Sequence, residues 1–209
     1  MTFDFSFALK VFAALFAIMN PIANIPVFLS LTDGASAKEK RRVASVAMIG
    51  VAVGCALSVS IGGTILRVFG VTIDGFRLSG GLLVLLIALN MLHGNASPQH
   101  HPSQKEMSQT DEASDVAIYP LTIPLLVGPG TISTLIVFGH TAVTEQRIAS
   151  LVVGLSAFLF VLALALFSAP YLAKYLSQKS IAITQRLMGM ILAAIAMEMM
   201  VDSLRVFFK

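Results

Sequence analysis

Two short stretches hold the residues best suited to chemistry in this chain. They are Asn20-Pro21-Ile22-Ala23-Asn24-Ile25-Pro26 and Pro124-Leu125-Leu126-Val127-Gly128-Pro129-Gly130-Thr131. Proline lacks a backbone donor and its ring collides with the carbonyl one turn back, while glycine tolerates dihedrals other residues avoid, so both stretches are expected to contain locally unwound helix. Asn20 and Asn24 are four apart, which on a helix places two amides on one face, each able to donate and accept. In the second stretch, Gly128-Pro129-Gly130 is followed by Thr131, Ser133 and Thr134 and reads as the start of a new half-helix. Its bare N–H groups and roughly half a positive charge suit a carboxylate. A small zwitterion would find its ammonium partners among carbonyls freed by the breaks. The candidate substrate-binding residues are therefore Asn20, Pro21, Asn24, Gly128, Gly130 and Thr131.

Glu198 is the acidic residue nearest the middle of an apolar run, where an ionised carboxylate is costly unless paired or hydrated. It is a candidate for proton coupling, with H+ as the coupling ion. The competing reading places it in a charged helix end with Asp202 and Arg205, one and two turns on. Arg77 and Arg186 are expected at the starts of two spans, their stems on apolar surface and their heads toward lipid headgroups, with substrate contact open to either. His100 and His101 fall in a polar stretch and read as solvated rather than as a metal site; His140 stands alone. The sequence carries no Ser/His/Asp set, metal-ligand spacing or phosphate loop, so neither catalysis nor a cofactor is expected.

The elements that must position these residues follow from composition. Of 209 residues, 56% are hydrophobic and 12% charged, and the mean hydropathy is +0.86. That is an integral membrane protein, with the lipid bilayer as its first partner. Val43–Leu66 and Val116–Thr144 contain no Asp, Glu, Lys or Arg, and each exceeds the ~20 residues a helix needs to cross a bilayer. Further spans are expected over Phe5–Leu31, Gly75–Leu92, Ile148–Ala173 and Ile181–Phe208, six in all. The net charge of +3 sits mainly at helix ends and loops, which points to topology and not to a nucleic-acid partner. Basic residues favour the side of the first, third and fifth connections, led by Lys40-Arg41-Arg42, so both termini are expected outside. The single Cys55, in a charge-free span, fits packing better than redox chemistry.

The spans fall into two triplets, 1–93 and 116–209, joined by a polar segment, 94–115, too poor in apolar residues to fold alone and expected to act as a flexible linker. The triplets echo each other: Pro21-x4-Pro26 against Pro124-x4-Pro129, and Arg77-Leu78-Ser79-Gly80 against Arg186-Leu187-Met188-Gly189. Three spans per unit make successive copies enter the membrane from opposite sides, an inverted repeat. Gly62, Gly63, Gly80, Gly81 and Gly189 are assigned to close helix contacts.

Asn20-Pro21-x-x-Asn24-x-Pro26-x-Phe28, Phe76-Arg77-Leu78-Ser79-Gly80-Gly81, Pro120-Leu121-x-x-Pro124-x-x-x-Gly128-Pro129-Gly130 and Arg186-Leu187-Met188-Gly189 together resemble the MarC family of bacterial and archaeal inner-membrane proteins. The likeness runs from end to end. It implies an all-α membrane fold of six transmembrane helices in two inverted three-helix repeats, similar to the LysE-type exporters, with helices one and four discontinuous. It also implies transport of a small neutral amino acid across the cytoplasmic membrane, with the six break residues named above around the substrate. Two other readings remain: a multidrug or metabolite exporter, which would use the methionines of Met188–Met200, and a non-transporting membrane scaffold. Substrate, direction and oligomeric state stay open.

Overall fold

The computed structural model describes residues 3–93 and 117–208. The polar segment 94–115, with His100 and His101, lies outside them. Every regular element among the described residues is helical. In chain order these are α1 (Phe5–Met19), α2 (Pro21–Leu31), α3 (Ala37–Val68), α4 (Ile73–Leu92), α5 (Ala117–Leu126), α6 (Pro129–Thr144), α7 (Ile148–Phe167), α8 (Ala169–Leu172) and α9 (Gln178–Phe207).

Local chemistry sets the ends. Ser36 caps α3, its hydroxyl accepting from Glu39 N while Glu39 Oε2 accepts from Ser36 N. This reciprocal box starts the helix six residues before the charge-free run begins and brings Lys38 to Arg42 into it. Gly70, at φ 68, ends α3 in the left-handed region, and Val71 N donates back to Leu66 O at 2.9 Å. Pro170 divides the expected Ile148–Ala173 span, so α7 stops at Phe167 and α8 is a short turn of helix.

Five stretches are long and apolar enough to cross a bilayer: Phe5–Leu31, Ala37–Val68, Ile73–Leu92, Ile148–Phe167 and Gln178–Phe207. The expected span over 116–144 is not one helix. It is the tandem of α5 and α6, and α5 is a wide, π-type helix, with Val127 N donating five residues back to Thr122 O at 2.8 Å. Pro120 and Pro124 each remove a donor from the usual ladder, and widening is one way the remaining donors find acceptors.

The outer surface is apolar. On α3, Ile49, Val53, Leu57, Ile61 and Ile65 recur every four residues and are all exposed, a stripe that only lipid can cover. A neighbouring stripe, Gly50, Gly54, Ser58 and Gly62, faces the broken pair: a Cβ on Gly54 would lie 3.0 Å from Val127 Cγ1 and one on Gly50 2.9 Å from Thr122 Cγ2. Small residues every fourth position let the backbones approach. Gly63 differs from its expected assignment, because nothing lies within 4 Å of a Cβ there.

The Phe5–Leu31 stretch is the most enclosed, with 72% of its most apolar window buried against 28–39% for the other four. α4 and α9 form the most extensive helix pair and run antiparallel. Gly81 abuts Ala196 O and Met200, near the end of α9, while Gly189, near its start, abuts Ala88 O and Met91.

Candidate functional site

The first break is one residue wide. Asn20 sits between α1 and α2 in the left-handed region, φ 38 and ψ 75, a conformation in which Asn is among the few tolerated side chains. Its N–H closes α1 on Phe16 O at 2.9 Å, and its Oδ1 caps α2 by accepting from Ala23 N at 3.3 Å. Pro21 takes the first position of α2, where a missing N–H costs nothing. Pro26, expected to share in the unwinding, stays inside α2. It removes the single bond to Ile22 O from a helix that otherwise continues.

The second break falls at Val127 and Gly128. Gly128 is extended, φ −90 and ψ 176, and precedes Pro129 at the first turn of α6. Ile132 N donates to Gly128 O at 3.0 Å. No side chain caps α6, so the N–H groups of Gly130 and Thr131 in its first turn are open to a ligand. In local form Asn20-Pro21 resembles Gly128-Pro129, each a non-helical residue before a proline that opens a helix. The separation matches, to within one residue, that of Arg77 from Arg186.

Both breaks are stitched in the same register. Asn24 Nδ2 donates to Met19 O, the last carbonyl of α1, and also lies 3.3 Å from Asn20 O. Thr131 Oγ1 donates to Leu126 O, the last carbonyl of α5, at 3.1 Å. Each donor stands five residues after the acceptor it rescues. This corrects one expectation: the freed carbonyls at Met19 and Leu126 are occupied by side chains, and the unpartnered side-chain acceptor beside the first break is Asn24 Oδ1.

The structure brings the breaks together. A Cβ on Gly130 would lie 2.7 Å from Ile87 Cδ1 and 3.9 Å from Ile18 Cγ2, so the start of α6 abuts α4 and the last turn of α1. Asn20, Pro21, Asn24, Gly128, Gly130 and Thr131 are all buried, the two asparagines at 0% exposure. Because Asn24 Nδ2 faces two carbonyls and Asn20 Oδ1 faces an N–H, both amide orientations are set by their partners. What is left over is Asn20 Nδ2, Asn24 Oδ1 and, one turn into α6, Thr134 Oγ1. All three are buried without a hydrogen-bond partner among the described residues. Folded proteins rarely leave such groups unmet, since each costs about 1–3 kcal/mol, and three beside two helix breaks mark the candidate polar site.

Glu198 lies elsewhere. Its Oε1 is 2.5 Å from Lys10 Nζ, and both side chains are about half exposed. The expected cap forms without it, Asp202 pairing with Arg205 at 4.0 Å. Lys10, Glu198 and Asp202 line a cavity of about 210 Å³ with Arg77, Phe138, Glu145 and Arg147. Arg77 and Arg186 were both expected to reach headgroups, and Arg186 is exposed. The Arg77 side chain is instead 17% exposed, 3.6 Å from Asp74 and turned into this cavity, with Nε unpartnered. Lys10 was thus missed from the sequence as a cavity residue, whereas Thr134 was read at the start of the half-helix without being placed among the binding residues, and Arg77 was read mainly as a headgroup anchor. Lys10 carried a signal, being the only cation inside an otherwise apolar stretch.

Interrupted helices enclosed by continuous ones, under an apolar exterior, define a multi-pass α-helical membrane protein with a buried polar centre. The chain belongs to the MarC family: the model described as "MarC family integral membrane protein" matches residues 5–208. It is 35% identical to the UPF0056 membrane protein YhcE of Escherichia coli (strain K12), over 99% of this chain and 95% of that one. It is also 35% identical to the UPF0056 membrane protein MJ1677 of Methanocaldococcus jannaschii (97% and 98%) and 32% identical to the UPF0056 membrane protein YvbG of Bacillus subtilis (strain 168) (98% and 97%). No solved structure matches the chain.

Proposed function

We infer that the protein is a secondary transporter of a small neutral amino acid, or a similar small zwitterion, that moves its solute without transforming it. The observation that carries this reading is the set of three unmet buried groups beside the two breaks. A carboxylate suits the Gly130 and Thr131 N–H groups at the start of α6, with the Thr134 hydroxyl and Asn20 Nδ2 as further donors. An ammonium suits Asn24 Oδ1. All are covered, so the described conformation is occluded, and transport requires an opening to each side in turn.

Alternating access has a natural basis if the six crossings form two inverted triplets. Three features support that arrangement. Each half has a helix interrupted before a proline; α4 and α9, related by the Arg-Leu-x-Gly motif, pack antiparallel with Gly81 and Gly189 in reciprocal contacts; and the turns alternate between two faces. Asp4, Arg77, Arg147 and Asp202 gather at one face, while Lys40 and Arg41 meet Phe167 and Tyr171 at the other. Positive-inside placement puts the Lys40-Arg41 face in the cytoplasm and both termini outside. The multidrug reading is less favoured, because of the α9 methionines Met199 alone lines the charged cavity.

The direct test is uptake of radiolabelled glycine and alanine, then a broad amino-acid panel, by purified protein in liposomes. Saturable uptake that falls in Asn24→Ala is expected. Absence of transport across the panel overturns the reading.

A further inference from the structure

The charged cavity stands over the site and is not part of it. Its α6 wall, Val137 and Phe138, lies about 10 Å, or two turns, from Gly130, and its α1 wall at Lys10 lies about 15 Å from Asn20. Between cavity and breaks sits a thin plug. Met199, at the cavity floor, and Ser133 both pack on Gly80, where a Cβ would be 3.0 Å from Ser133 Cβ and 3.9 Å from Met199 Cε.

The lining carries Lys10, Arg77 and Arg147 against Glu145, Glu198 and Asp202. Most of these charges are engaged locally. Arg147 is 3.0 Å from Asp4 and 3.1 Å from Glu145, and Asp202 is held by Arg205. Two elements are not. Arg77 has one carboxylate partner at 3.6 Å and a buried, unpartnered Nε, so a guanidinium built for two-pronged carboxylate contact is underused. Lys10 and Glu198 join the helix that bears the first break to the last helix of the other half, 188 residues apart. A lining of balanced sign, with one cation short of partners and one exchangeable ion pair, fits a neutral solute with separated charges.

We propose that this cavity is the outer vestibule of the transport path, where Arg77 receives the carboxylate of a small zwitterion, the solute ammonium takes the place of Lys10 on Glu198, and the Lys10–Glu198 pair is the gate. The exchange conserves charge: one ammonium leaves the Glu198 carboxylate and another replaces it. The identity of the solute rests on the transporter reading above; the gate itself is testable without any solute.

The reporter is a cysteine in the plug, behind the cavity wall, Ser133→Cys in a Cys55→Ser background, which removes the single native thiol. Its modification by a membrane-impermeant methanethiosulfonate reagent is timed in lipid nanodiscs. Lys10→Gln should speed labelling about threefold, and Lys10→Glu or Glu198→Lys about tenfold, the scale a half-exposed ion pair and its reversal support. The double reversal Lys10→Glu/Glu198→Lys should return the rate to within about twofold of the parent, a restoration that a misfolded protein would not show. Glycine should speed labelling of the parent but not of Arg77→Gln. Unchanged rates in the single variants, a double variant as fast as the singles, or a glycine response that survives Arg77→Gln each overturns the proposal. If the gate variants behave as stated while the uptake panel is empty, the transporter reading falls and the gate stands. Uptake with unaltered labelling removes the gate alone.

Discussion

Thr131 and Thr134 stand one turn apart on α6, and replacing each by valine is expected to shift stability in opposite directions. Valine keeps the volume and branching of threonine and removes the hydroxyl. Thr131 Oγ1 donates to Leu126 O at 3.1 Å, and both residues are buried. Thr131→Val therefore leaves a carbonyl unpaired in an apolar setting, a loss of about 1–3 kcal/mol. Thr134 Oγ1 is already unpaired, in a residue 1% exposed. Thr134→Val removes a penalty instead of creating one and should stabilise the protein by about 1 kcal/mol. At about 2–4 °C per kcal/mol for a chain of this size, the Tm should fall by about 2–12 °C in the first variant and rise by about 2–4 °C in the second. Circular dichroism of purified protein in one detergent reads both. Repeating the melts with saturating glycine adds the functional half: Thr134→Val loses one hydrogen bond to the solute, and its glycine affinity should drop about three- to tenfold even though the unliganded protein melts higher. A Thr134→Val protein that melts below the wild type, or two variants that shift together, would show the Thr134 hydroxyl to be engaged by the fold itself and would remove it from the site.

Asn20→Ala should cost about 2–3 kcal/mol, joining a left-handed non-glycine residue to the loss of the α2 cap, whereas Asn20→Gly should melt within a few degrees of wild type yet bind glycine poorly; equal melts for the two would contradict the strain at φ 38. Gly154→Ala places a Cβ against the backbone carbonyl of Ala8, which cannot rotate away, and should lower the Tm, while Gly63→Ala meets nothing within 4 Å and should be silent. Glu198→Gln should alter the rate of uptake through the loss of the gate carboxylate but not the ratio of protons to solute carried, because Glu198 sits half exposed at the cavity rim and not between the breaks; a changed ratio in liposomes would return it to the coupling path.

The breaks were legible because proline and glycine act through their own backbone, with no distant partner needed to remove a donor or admit an unusual dihedral. Their placement was not. Nothing local distinguishes Pro21, which opens α2, from Pro26, which α2 absorbs; the difference is that Asn20 accepts the left-handed conformation and caps both sides. The same ambiguity affects any comparison of the halves, since Pro-x4-Pro occurs twice while the prolines that open a helix after a break are Pro21 and Pro129. Contacts far apart in sequence were beyond reach. Lys10 with Glu198, Asp4 with Arg147, and Arg77 turned inward depend on how α1, α4, α6 and α9 assemble. Charge counting could place Arg77 near a helix start but could not tell which way its face would turn.

The two breaks each precede a proline-opened helix but differ in chemistry, and that difference suits a dipolar solute. At the first break the cap is an asparagine and the stitch is an asparagine, so the groups left over belong to side-chain amides: one donor at Asn20 and one acceptor at Asn24. At the second, the cap is a glycine with no side chain and the stitch is a threonine hydroxyl already committed to Leu126 O. What remains there is backbone N–H and the Thr134 hydroxyl. Two identical breaks would present the same polarity twice and favour a symmetric ligand. Here Asn24 Oδ1 contributes an unpaired side-chain acceptor that cannot also donate, while the α6 start contributes backbone donors and a hydroxyl. Exchanging the characters should therefore be costly to recognition: Asn24→Asp trades the stitching donor for a second acceptor, and it should lose glycine binding and stability together, whereas Gly128→Ala, whose extended backbone any residue can adopt, should disturb recognition more than folding. Equal loss of Tm in both variants would show that the second break is only a structural joint.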